Sequence, residues 1–84
     1  MSDAKLELPY PCRWVYKIIG DDEEALRSAA AGILRGREHA ISLSRRSAGR
    51  NYCCLNVEVL VRDERDRTGI YGALRGSPAV RLVL

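Results

Sequence analysis

The sequence predicts an α+β domain of ferredoxin-like architecture, with element order β-α-β-β-α-β. Three observations lead there. Four segments place apolar residues at a spacing of two, and two others place them at a spacing of three and four. Gly, Pro and Asp punctuate the boundaries between them. Because crossover connections are right-handed, this order of elements leaves few topologies. The common one is a four-stranded antiparallel sheet of order 4-1-3-2 with two helices on one face, which leaves the other face bare and the second and fourth strands as edges.

The first strand is predicted over residues 13–19. Leu8-Pro9-Tyr10-Pro11 before it is extended, because proline fixes its own φ and keeps the preceding residue out of the helical region. Trp14, Tyr16 and Ile18 form the expected core side, Val15, Lys17 and Ile19 the other, and Gly20 the end. Asp21-Asp22-Glu23-Glu24 then opens a helix, with Asp21 as the expected cap and Glu24 reaching back to it. Ala25, Leu26, Ala29, Ala30, Ile33 and Leu34 make its apolar stripe, and Arg35-Gly36 supplies a cationic last turn and a left-handed cap.

A short second strand is expected over 40–44, with Ile41 and Leu43 facing in. Residues 45–51 read as a turn, and Tyr52 to Val61 as the clearest strand, with Leu55, Val57, Val59 and Val61 on its inner side. Asp63 caps a second helix running to about Arg75, with Ile70, Ala73 and Leu74 buried and Gly76 and Pro78 as the stop. Gly69 and Gly72 each cost that helix about 1 kcal/mol relative to alanine. The chain closes with a strand over 79–84, for which alternation places Val80, Leu82 and Leu84 on one side and Arg81 and Val83 on the other.

Eighty-four residues suffice for one hydrophobic core, so 1–84 is read as a single domain with 1–11 as an extended N-terminal arm. No run is long and apolar enough to cross a bilayer. Residues 1–8 lack the basic start and apolar stretch of a secretory signal, so a cytoplasmic protein is expected. Cys12, Cys53 and Cys54 cannot all pair within one chain, and the single His39 has no ligand spacing around it; free thiols without structural duty, and no metal or other cofactor, are the simplest reading. No nucleophile has a base and an orienting group at a recognisable spacing, so the chain is not read as an enzyme.

The formal charge is +3, unevenly placed. Residues 35–50 hold five arginines against the single acid Glu38. A basic stripe can meet an anion, and a solvated surface is the plainer alternative. Lys17, centred in an apolar strand, must carry its ammonium to water or to an anion, and projects from the helix-free face.

Within this frame the chain resembles the YbeD-like family of small bacterial proteins of unknown function, from about Leu8 to Leu84. The resemblance rests on Pro9 and Pro11, Tyr16-Lys17-Ile18-Ile19-Gly20, Gly49 with Asn51-Tyr52, Tyr71 with Leu74, and Val80-Arg81-Leu82-Val83-Leu84. It implies a ferredoxin-like fold similar to the ACT domains that sense amino acids, no established catalytic residues, and a link to lipoate metabolism through neighbouring genes in some bacteria. Gly49 lies one residue further from Tyr52 than is usual in that family, and Cys54 stands where a small hydroxyl residue is common.

Taken together, these features predict a non-catalytic binding or regulatory module, a metabolite sensor or a protein adaptor. Lys17 and the hairpin residues Arg45, Arg46, Gly49, Arg50, Asn51 and Tyr52 are its candidate ligand- or partner-binding positions. The expected partners are an unknown protein or small metabolite, and a weak homodimer through the sheet edges. The alternative is an RNA-binding domain of RNA-recognition-motif topology using the basic hairpin, although strand three carries Cys, Leu, Asn and Val where stacking aromatics are wanted.

Overall fold

The structure is a computed structural model and describes residues 9–46 and 52–84. Its elements are β1 (Cys12–Gly20), α1 (Glu23–Ile33), β2 (His39–Arg46), β3 (Cys53–Val61), α2 (Glu64–Arg75) and β4 (Leu82–Val83). One antiparallel sheet of order β2-β3-β1-β4 joins the strands, which is the expected order read from the other edge.

Alternation along the two central strands builds the core. Tyr16 and Ile18 of β1 and Cys53, Leu55, Val57, Val59 and Val61 of β3 are buried beneath Leu26, Ala30 and Leu34 of the first helical segment and Ile70 and Leu74 of α2. Both helices therefore cover the same face. Trp14 packs at the margin of this core with the Arg67 guanidinium 4.6 Å above its ring. The Tyr16 hydroxyl donates to the Arg67 carbonyl at 2.6 Å, and burial pushes its pKa up to about 12. Gly20 is required by close approach: a Cβ there would lie 2.5 Å from the Ala79 carbonyl oxygen and 2.9 Å from Leu26 Cδ2. Gly36, at φ 80°, makes the left-handed turn after α1.

Several expectations need correction. Asp22, not Asp21, caps α1: its side chain accepts from the amides of Glu24 and Ala25. Asp21 is thereby released to pair with Arg81 at 2.8 Å. The second strand does not end at Ser44; a bulge between Leu43 and Arg45 lets pairing continue to Arg46. Arg45 and Arg46 are therefore strand residues, and Leu43 is 38% exposed because it lies on the edge strand beyond the reach of the helices. Ala73 is exposed on α2. Cys53 belongs to the core, where burial raises its thiol pKa, so it has the packing duty the sequence reading denied it.

The last strand is the largest departure. It has two residues, and both Val80 and Val83 are buried, whereas Leu82 and Leu84 are exposed. The chain turns at Ser77–Val80, whose closing amide donates to the Ser77 carbonyl, and bends again at Arg81. That bend breaks the two-residue alternation, so side chains three apart reach the core together. No helix among the described residues is long and apolar enough to cross a membrane.

Candidate binding face

Register across the sheet turns the helix-free face into a grid. Ser42 lies beside Asn56, Asn56 beside Lys17, and Lys17 exchanges both backbone hydrogen bonds with Leu84. One row over, Arg45, Cys54, Ile19 and Leu82 follow in the same order, and on the other side Ala40, Glu58 and Val15. The face is thus divided along its length. Its β2–β3 half is polar, and its β1–β4 half carries Val15, Ile19, Leu82 and Leu84, of which Val15, Leu82 and Leu84 are 50%, 50% and 64% exposed.

Lys17 stands on the boundary. Its ammonium donates to Asn56 Oδ1 at 3.0 Å and Ser44 Oγ at 3.3 Å, two neutral acceptors, and no carboxylate among the described residues pairs with it. Its exposure is as expected; its anchoring depends on the bulge that brings Ser44 within reach. By contrast Arg13, on the same face, is held by Glu38 at 2.5 Å and Glu58 at 3.7 Å.

The other anticipated positions are not gathered into one site. Arg45 is exposed on the bare face and has no ion pair among the described residues. Arg46 turns to the helix side and pairs with Glu23 at the start of α1, which, with Arg27, lowers the pKa of that carboxyl. Tyr52 is exposed just before β3. Gly49, Arg50 and Asn51 lie outside the described residues. His39 begins the edge strand with Nδ1 2.8 Å from the Arg37 carbonyl oxygen. No group of His, Cys, Asp and Glu able to hold a metal ion occurs among the described residues. Alternation groups Leu82 with Leu84 opposite Val83, as the structure has them, and Val80 alone changes side, across the bend at Arg81.

With this geometry in place, comparison with known proteins decides the family. Residues 5–84 match the family described as "Protein of unknown function (DUF493)". The chain belongs to the DUF493 family. Two solution structures of the protein HP0495 from Helicobacter pylori share its fold. One has a TM-score of 0.81 at 22% identity over 96% of this chain and 89% of that one. The other has a TM-score of 0.65 at 20% identity over 96% and 98%. Curated proteins offer no match to the sequence.

Proposed function

We propose that this DUF493 protein is a non-catalytic binding or regulatory module that works through the helix-free face of its sheet. The observation that carries the reading is the exposed aliphatic strip Val15, Leu82 and Leu84 beside Lys17, whose ammonium meets only neutral oxygens among the described residues. A sheet stripe of this kind gains free energy when another layer covers it, at roughly 25 cal/mol per Å². The likeness to the YbeD-like family supports a cytoplasmic protein adaptor or an ACT-like metabolite sensor, with lipoate metabolism as its setting. Of the two, the adaptor is favoured, because the exposed strip Val15, Leu82 and Leu84 suits a covering layer, whereas small-molecule sites are concave and bury most of the ligand.

RNA is the weaker partner class. Trp14 and Tyr16 face the helices, and the described face has Val15, Lys17, Asn56 and Glu58 where bases would need aromatic platforms. A weak homodimer through the β4 edge is compatible with the adaptor, since an edge pairing leaves the face free.

The test is affinity capture from the cells that make the protein, read for proteins, metabolites and RNA together, with wild type beside Val15→Asp/Leu82→Asp. Both chains should keep the same circular dichroism, because the two side chains are exposed. A partner retained equally by the double variant would overturn the reading.

A further inference from the structure

We propose that the occupant of the helix-free face is an amphipathic α-helix of a partner protein, carrying a carboxylate that meets Lys17 between aliphatic side chains. This rests on the reading of that face as the binding surface and specifies what binds there.

Three features of the face select such an occupant. First, the face itself offers no backbone groups, because those of a sheet lie in its plane, where β3 is paired with β1 and β2, and β1 with β3 along its length and with β4 at Lys17, Ile18 and Ile19. An extended segment laid across the face would leave its own amides and carbonyls unpaired against an apolar strip, whereas a helix brings them already bonded. Second, the aliphatic residues of the strip come from two adjacent strands: Ile19 and Leu82 lie side by side, as do Lys17 and Leu84. The result is a band along the strands, matched by a helix with apolar residues at a spacing of three and four.

Third, the charge of Lys17 is uncompensated among the described residues. Asp21, Glu23, Glu38, Glu58, Glu64 and Asp66 each pair with an arginine, while Lys17 is held in position by Asn56 and Ser44 without being neutralised. Those two acceptors use two of its three N–H donors and fix the head group, so the third is oriented for an incoming acceptor at little further entropic cost. Arg45, one row away and also without an ion pair among the described residues, extends the positive end of the face. Arg13, Glu38 and Glu58 compensate one another at the opposite end.

Two concavities lie elsewhere. One, of about 550 Å³, runs between Ile33 and the start of α2 around Arg62, Arg65 and Asp66; the other is a smaller notch at Gly36 and Leu60. Neither is lined by Lys17, Val15, Leu82 or Leu84.

Zero-length carbodiimide coupling reads this contact directly, because it joins an ammonium to a carboxylate only when the two already touch. Lysates of the producing cells are treated, and products on Lys17 are compared with those on Lys5, the chain's one other lysine, which reports random coupling. The expected product joins Lys17 to an Asp or Glu of another protein, flanked at a spacing of three and four by aliphatic residues. Val15→Asp/Leu82→Asp should lower it at least about tenfold relative to the Lys5 product. Lys17 products no more abundant than those of Lys5, products unaffected by the double variant, or coupling to a carboxylate without aliphatic flanks would each overturn the inference. So would coupling to a second copy of this chain or ultraviolet cross-linking of the face to RNA. A photoreactive side chain at position 15 separates the two levels of the argument. A partner captured there without a Lys17 product retains the face and removes the acidic helix, and no capture by either route removes both.

Discussion

Asp66 joins three parts of the chain through one carboxylate. Arg37, between α1 and β2, donates to it at 2.5 and 3.0 Å and to the Leu60 carbonyl at 3.0 Å, and the Arg62 amide donates to it at 2.9 Å. Its side chain is only 12% exposed, and the Arg37 guanidinium holds its pKa at about 2. A carboxyl that ionises near 3.9 in the unfolded chain but near 2 in the folded one favours folding once both forms are charged. Its contribution is complete above about pH 4 and is lost as pH falls through about 2. Asp66→Asn should therefore lower stability at neutral pH by about 2 kcal/mol and flatten the acid limb of the stability profile, as urea unfolding at a series of pH values would show. An acid limb as steep as that of wild type would exclude Asp66 as its source. Gly20 offers a steric counterpart. Gly20→Ala should cost about 1–3 kcal/mol, because the added Cβ meets the Ala79 carbonyl oxygen at 2.5 Å and that backbone cannot yield as a side-chain tip could.

At the scale of elements, the start of α1 separates two acids that look alike in sequence. Asp22→Ala should destabilise the protein by about 1 kcal/mol, because two amides lose their acceptor. Asp21→Ala should cost under about 0.5 kcal/mol, since it removes only an exposed pair with Arg81. Equal thermal shifts for the two variants would contradict the capping geometry. The second helix carries a defect that can be repaired. Gly69 and Gly72 have open space where a Cβ would stand, and Gly69→Ala with Gly72→Ala should raise stability by about 1 kcal/mol each. Calorimetry would detect the gain. Arg45 and Arg46 lie on one strand but do different things: the bulge sends Arg46 to Glu23 and leaves Arg45 on the bare face, so Arg45→Ser should leave the melting temperature unchanged.

For the whole molecule, the sheet presents two unlike edges. The β2 edge is blunted by its bulge and by Arg45 and Arg46, as edges that avoid pairing commonly are. The β4 edge is short, with Leu82 and Leu84 beside it and Arg81 engaged by Asp21. The proposed weak homodimer therefore belongs to β4, and Leu82→Pro should abolish it while Leu43→Pro leaves it intact. Sedimentation equilibrium from micromolar to millimolar concentration is the measurement, and a constant mass of one chain throughout would remove the dimer.

The alternation of Tyr16 with Ile18 and of Leu55 with Val57, Val59 and Val61, and the helical spacing of Leu26, Ala30 and Leu34, were sufficient to predict the element order, the sheet order and most of the core. Lys17 was legible for the same reason, since its neighbours left it one face to occupy. These are local patterns whose period survives folding. The remaining features depend on contacts between segments distant in sequence. Asp22 rather than Asp21 is the cap, and Asp21 pairs instead with Arg81, sixty residues away in sequence. The Ser44 and Asn56 oxygens met Lys17 only because strand register and a bulge brought three strands into one row. Val80 shares the core with Val83, rather than lying with Leu82 and Leu84, because of a bend at Arg81, and a bend is chosen by what the chain packs against rather than by its own alternation.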